Sequence, residues 1–230
     1  MREFSIGSFI DIGANLMKEH VNLLVGNGKI SGFVKGQTIY RQGENAQDVC
    51  FLLSGQAKSV LINSSGGECL LRLHLSHSLM GLTALATSAI RDAEAIAITD
   101  GELVRIRREK FQELLKKNPD FGVYVVELLV NRMSDFHHRV GDFLARNVEQ
   151  RLAHSLLSLS RCDPEKKTGS RRQPVCLTHE ELASLLNSRR PTITAILNRF
   201  VAEGLISKKG RSLNVIDAER LEHFLPRSWG

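Results

Sequence analysis

The sequence predicts an α+β chain in three parts: an N-terminal antiparallel β-domain, a long central helix and a C-terminal winged helix-turn-helix. Three observations carry this. Short β-branched runs broken by glycines fill most of the first half, and a heptad of apolar positions follows Pro119. The third is charge: residues 1–150 carry 17 Lys/Arg against 17 Asp/Glu and residues 151–230 carry 14 against 8, so the whole excess of +6 lies in the last third. A neutral half joined to a basic half points to a C-terminal module that meets a polyanion, because lysine and arginine that displace counterions from phosphates supply most non-specific nucleic-acid affinity.

In chain order, "GANLMKEHVNLLVG" has the apolar spacing of a short helix, with Leu16, Val21 and Leu24 on one face and Gly26 and Gly28 ending it. Residues 28–75 then read as strands and tight turns, "NSSGG" among them. "AEAIAITDGELVRIRREKF" adds two strands before helical spacing resumes in "REKFQELLKKNPD", interrupted at Asn118 and Pro119. Val123, Val126, Val130, Met133, His137, Val140 and Leu144 follow at alternating spacings of 3 and 4, and only His137 is not apolar. A seam this narrow predicts a parallel two-helix dimer interface, since a helix packed on its own domain shows a broader apolar face. The pattern breaks at "ARNVEQ", and "LAHSLLSLS" starts another helix.

In the tail, Thr178 with Glu181 three residues later forms a capping box that starts a helix. "NSR" is a short polar turn, Pro191 sits in the first turn of a second helix, and Gly204 stops it. Two helices joined by so short a turn make a helix-turn-helix, with Arg189 and Arg190 at the N-terminal end that enters the major groove and Thr192 and Thr194 within reach of bases or phosphates. "LISKKGRSLNVI" reads as a two-stranded wing whose turn presents Lys208, Lys209 and Arg211 to the backbone.

Other classes are excluded by what the chain lacks. Cys50, Cys69, Cys162 and Cys176 are too scattered for a zinc ribbon or redox pair and read as thiols of a reduced compartment, so no metal site is expected. There is no G-x-S-x-G, H-E-x-x-H or Walker-type loop, so the chain does not read as an enzyme. No window approaches the ~18 apolar residues of a membrane span, and the N-terminus lacks the pattern of a secretory signal. A soluble, cytoplasmic protein is expected.

"YRQGENAQDVCFLLSGQA", a helix after "NPD" and a C-terminal winged helix, in that order, resemble the family of the cyclic-AMP receptor protein and FNR (CRP/FNR). The resemblance implies a homodimeric transcription regulator: a cyclic-nucleotide-binding-like β-roll over 1–118, a dimerisation helix and hinge over 119–147 with the hinge near Asn147, and a winged helix over 148–230. It also implies double-stranded DNA with an inverted-repeat operator, and RNA polymerase, as partners, and Thr178 beside the basic residues above as a DNA contact. The effector segment would be "MGLTALATSAIRDA", with Met80, Gly81, Leu82, Arg91 and Asp92, together with Phe136 and His137 on the helix.

Here the chain departs from the family. Leu82 stands where a glutamate holds the ribose, and Asp92 stands where a hydroxyl residue holds the phosphate. An apolar side chain cannot accept the ribose hydrogen bond, and Asp92 would repel the phosphate and partly neutralise Arg91. Phe136 and His137 are bulkier than the hydroxyl residues usual there. The expected effector is therefore a small molecule other than cyclic AMP. Haem held by His74, His77, His137 or His138 is the alternative, and an iron–sulfur cluster is set aside because the first cysteine is Cys50.

Overall fold

The computed structural model describes residues 9–11, 16–64, 66–161, 177–209 and 212–225. Within these, the chain divides into two compact units, one of Phe9–Met133 and one from Ser134 onward. Of the residues singled out above, Cys162, Cys176 and Arg211 lie outside the described residues, as does the side chain of Lys209.

The first unit is built from two sheets and three helical segments. Strands β1 (Ile10–Asp11), β3 (Thr38–Tyr40), β5 (Ala57–Ile62), β6 (Glu68–His74) and β8 (Glu94–Ala97) form a five-stranded sheet in the order β1-β6-β5-β8-β3. Strands β2 (Lys29–Phe33), β4 (Asp48–Ser54), β7 (Leu79–Met80) and β9 (Gly101–Arg107) form the second, in the order β2-β9-β4-β7. All pairings are antiparallel except β1 on β6, where Ile10 and Asp11 lie in parallel register with Leu73 and His74. Helix α1 covers Lys18–Gly26, α2 Arg108–Lys117 and α3 Pro119–Ala145.

The period-2 alternation of β4 and β9 separates two cores. Val49, Phe51, Val104 and Ile106 face the helices and join Leu24, Leu79, Leu82, Phe111, Leu114, Phe121 and Val125. Cys50, Leu52 and Leu103 face the other sheet and join Phe33, Ile39, Ala57, Met80, Ala95 and Ala97. The burial of Phe121 and Val125 explains why the boundary between units falls at Ser134, inside α3, and not at the start of the helix: its first turns complete the core of the β-domain.

The second unit begins with the rest of α3 and continues with α4 (Val148–Arg161), α5 (His179–Leu185), α6 (Arg190–Ala202), the hairpin β10 (Ile206–Lys209) and β11 (Ser212–Val215), and α7 (Ala218–Glu222). The break between α3 and α4 is held by reciprocal bonds: Gln150 N donates to Asn147 Oδ1 at 2.9 Å and Asn147 N donates to Gln150 Oε1 at 3.1 Å. This is capping-box chemistry, and it starts a new helix at the position read as a hinge. Leu152, Leu156, Leu157, Leu182, Leu186, Ile193, Leu197, Phe200, Leu205 and Leu221 are all buried in this unit. No helix among the described residues is long and apolar enough to cross a membrane.

Candidate effector pocket and DNA-reading surface

Inside the β-domain, Arg91 is buried at 3% exposure and held by three hydrogen bonds. Its Nη1 donates to Gly81 O at 2.8 Å; its Nη2 donates to Asp48 O at 2.7 Å and to Asp48 Oδ1 at 2.5 Å. The guanidinium also lies 4.2 Å from the centre of the Tyr40 ring. Asp48 reaches a second arginine, its Oδ2 accepting from Arg105 Nη1 at 3.3 Å, while Arg105 Nη2 donates to Ile39 O at 2.7 Å. Gly81 is required at this point: its φ is +70°, and a Cβ there would fall 2.3 Å from Arg91 Nη1. Beside the arginines, burial pushes the Cys50 thiol up to about 12 and the Tyr40 phenol up to about 12, so both are neutral.

Two expectations change. The carboxylate that neutralises Arg91 is Asp48, 43 residues away in sequence, and not its neighbour Asp92, which is exposed. Leu82, read as part of the effector segment, is carried by the 3₁₀ turn Leu82–Leu85 into the helix-side core with Leu79 and Phe111. Met80 is fully buried between the sheets. Phe136 and His137 are exposed on α3.

Of the histidines considered for iron, His74 is committed within the domain. Its Nε2 lies 2.8 Å from Ser59 Oγ, and its Nδ1 faces Asp11 Oδ2 at 3.7 Å, an electrostatic contact too long for a hydrogen bond. Asp11 also pairs with Arg132 of α3. Burial holds His74 below the usual histidine range, more strongly than Asp11 raises it. Burial alone would raise Asp11, but His74 and Arg132 outweigh it and hold the carboxyl well below the usual range. His77, His137 and His138 are exposed.

Helix α3 exposes a broad apolar face: Val123, Val126, Leu129, Val130, Met133, Phe136, Val140, Phe143 and Leu144 are 38–84% exposed. The heptad seam contains six of these and omits Leu129, Phe136 and Phe143, which flank the a/d positions and widen the stripe.

In the second unit, Thr178 caps α5 as its sequence spacing requires: Glu181 N donates to Thr178 Oγ1 at 3.1 Å and Thr178 N to Glu181 Oε2 at 2.9 Å. The Thr178 hydroxyl also donates to Glu181 Oε2 at 2.9 Å, so it is taken up by the cap. The turn between α5 and α6 passes through Asn187 at φ +46°, a conformation asparagine tolerates better than most residues. Arg189 stands at the N-cap position of α6 without a side-chain capping bond, and Pro191 occupies the first turn. Ile193, Leu197 and Phe200 form the buried face of α6, leaving Arg189, Arg190 and Thr192 exposed and Thr194 half-buried on the outer side. Arg199 pairs with Glu149 of α4, tying α6 to the scaffold.

Lys208 lies on β10 opposite Leu213 of β11, and with Leu177, Thr178, His179, Glu180 and Arg190 it lines a cleft of about 450 Å³. Sequence reasoning missed His179. Its Nδ1 lies 2.8 Å from Thr194 Oγ1 and its Nε2 lies 3.3 Å from Lys208 Nζ, so it joins α5, α6 and the wing. It also missed Asn198, exposed one turn beyond Thr194, although the spacing of four residues was visible.

Residues 32–118 match the cyclic nucleotide-binding domain, and residues 150–224 match the Crp-like helix-turn-helix domain. A CRP-like cAMP-activated global transcriptional regulator of Mycobacterium tuberculosis is 26% identical over 189 residues, covering 82% of this chain and 84% of the relative. The global nitrogen regulator of Synechocystis is 27% identical over 188 residues, 81% of this chain and 84% of the relative. The fold matches that of FixK2 from Bradyrhizobium japonicum with a TM-score of 0.75 at 18% identity, covering 88% of this chain and 99% of that one. The c-di-GMP responsive regulator CLP of Xanthomonas campestris matches at 0.72 and 20% identity, over 85% of this chain and 97% of that one. With an effector-type β-domain and a Crp-like helix-turn-helix matched in this order, the chain belongs to the CRP/FNR family, whose members are DNA-binding transcription regulators and not enzymes.

Proposed function

We propose that this chain is a homodimeric regulator that reads an inverted-repeat operator in the cytoplasm, works with RNA polymerase, and responds to a small molecule other than cyclic AMP. The observation that carries the effector reading is Arg91. A cyclic phosphate would have to take this guanidinium from Asp48, which accepts from it at 2.5 Å, and would then sit beside the displaced carboxylate. The relatives named as responsive to cyclic AMP or c-di-GMP do not transfer their ligands to a domain whose central arginine is already paired with Asp48. Haem would need His74 to leave Ser59 and Asp11, and the remaining candidate histidines are exposed, so nothing favours iron.

The dimer reading rests on the exposed face of α3, where Val126, Val130 and Met133 are each more than half exposed. A contiguous exposed apolar stripe of this size on a helix marks an interaction surface. The DNA reading rests on Arg189, Arg190, Thr192 and Thr194 on the outer side of α6, with Lys208 on the wing beside them.

The test is titration calorimetry with cyclic AMP and cyclic GMP, paired with fluorescence anisotropy on DNA selected from a random library. Expected are no heat from either nucleotide and binding to an inverted repeat without them. Saturable micromolar binding of either nucleotide would refute the effector reading.

A further inference from the structure

His179, Thr194 and Lys208 come from three different elements and meet at the base of the recognition helix. The chemistry of the three fixes where their protons lie. A lysine ammonium has three donors and no acceptor, so its 3.3 Å contact with Nε2 requires that nitrogen to be the unprotonated one. A neutral imidazole then carries its proton on Nδ1, and Nδ1 donates to Thr194 Oγ1 across 2.8 Å. The threonine hydroxyl has spent a lone pair on this bond, and its own hydrogen is left to point away from the histidine. We propose that His179 sets the hydrogen-bonding polarity of Thr194, so that on DNA this threonine acts as a donor to a base-edge acceptor in the major groove.

This rests on the reading of α6 as the helix that reads DNA, and it narrows what that helix can read. Acceptors in the groove are purine N7, guanine O6 and thymine O4, whereas the amino groups of adenine and cytosine are donors. The bond from His179 takes one of the two lone pairs of Oγ1 and polarises its O–H, so Thr194 favours the first set over cytosine N4. Without the histidine a threonine hydroxyl rotates to suit either partner and discriminates poorly.

The charges around His179 keep it in the required form. Lys208 faces it from β10 and Arg190 from α6, while Glu180 and Glu181 belong to its own helix. Partial burial, then Lys208 and Arg190, hold its pKa below the usual histidine value. Near neutral pH the ring is uncharged and the relay is intact.

The experiment is selection of bound DNA from a random library, followed by affinity measurements on single-base variants of the winning site, for the wild type, Thr194→Val, Thr194→Ser, His179→Leu and His179→Gln. Thr194→Val should lose about five-fold of discrimination at one symmetry-related position per half-site, the worth of one hydrogen bond, and Thr194→Ser should keep it. His179→Leu should blur the same position and no other. His179→Gln should restore it, because its amide can accept from Lys208 and donate to Thr194 in the same sense, a rescue that a merely structural histidine would not show. A Thr194→Val protein that keeps every preference, or that weakens all sequences alike as a phosphate contact would, overturns the inference, and so does a His179→Leu protein with wild-type discrimination. A wild type that enriches no sequence at all overturns the DNA reading beneath it.

Discussion

Asp48→Ala should destabilise the β-domain by about 3 kcal/mol. Removing one partner of a buried ion pair leaves an uncompensated charge and costs ~3–5 kcal/mol. Here Arg91 is buried at 3%, but the Asp48 and Arg105 side chains are 23% and 35% exposed, so water reaches part of the network. Arg91 also keeps its bonds to the carbonyls of Gly81 and residue 48, which places the cost at the lower end. For a unit of this size the loss corresponds to a fall of about 10 °C in the transition of the β-domain. Differential scanning calorimetry of the intact protein, at one fixed protomer concentration, reads it. Arg91→Met alone should cost less, about 2 kcal/mol, because Asp48 still has Arg105. The double variant should fall short of the sum by about 2 kcal/mol, the coupling expected of two groups in direct contact. Additive losses, or an Asp48→Ala transition within about 2 °C of the wild type, would refute the account of Asp48 as the internal counter-ion.

Met133→Glu and Val130→Glu should each yield monomers in sedimentation velocity at micromolar concentration, since each would bury a carboxylate against its symmetry mate at a cost of several kcal/mol. Stability should fall with pH in two stages. His74 has its folded value held below the ordinary ~6.5, so the unfolded chain takes up a proton that the folded one refuses, and stability drops from about pH 7 towards 5. Asp11 also has a lowered folded value, so its contribution, present above the ordinary ~3.9, disappears at still lower pH. His74→Gln should remove the first stage and shrink the second, because His74 helps to hold Asp11 down, as read by urea midpoints across pH. Arg190→Ala should cost ~1–3 kcal/mol in DNA affinity and relax one base pair per half-site, whereas Lys209→Ala should weaken all sequences alike and flatten the salt dependence, measured by anisotropy at several ionic strengths.

Local signals were legible and distant pairings were not. The capping box at Thr178, the proline in the first turn of α6 and the glycine at its end each depend on residues within one turn of each other, and the structure has all three. The heptad likewise located the exposed face of α3. Asp48 with Arg91, Asp48 with Arg105 and Asp11 with Arg132 are separated by 43, 57 and 121 residues. Nothing in the spacing of charges tells which acid meets which arginine, so Asp92 was credited with a role that Asp48 performs. The orientation of Leu82 had no signal either, because a leucine after a glycine fits an apolar pocket wall and a core equally well. β1 is two residues long, too short for any period to show, and it is held by its pairing with β6 and by the ion pair of Asp11 with Arg132. His179 was hidden for a different reason: its partners lie 15 and 29 residues ahead, on the next helix and the wing.

The large apolar side chains buried within the C-terminal unit have a consequence for how such a protein can change over time. A segment that closes its own core owes little of its folding to whatever precedes it, so the stretch from Asn147 onward can be cut and joined to another sensor without unpicking the reader. Transplanted behind a domain with a different ligand, it should keep its operator and exchange its signal. Recombination could reassign what this regulator listens to in a single event, while altering what it reads would take point changes on one face of α6, made one residue at a time.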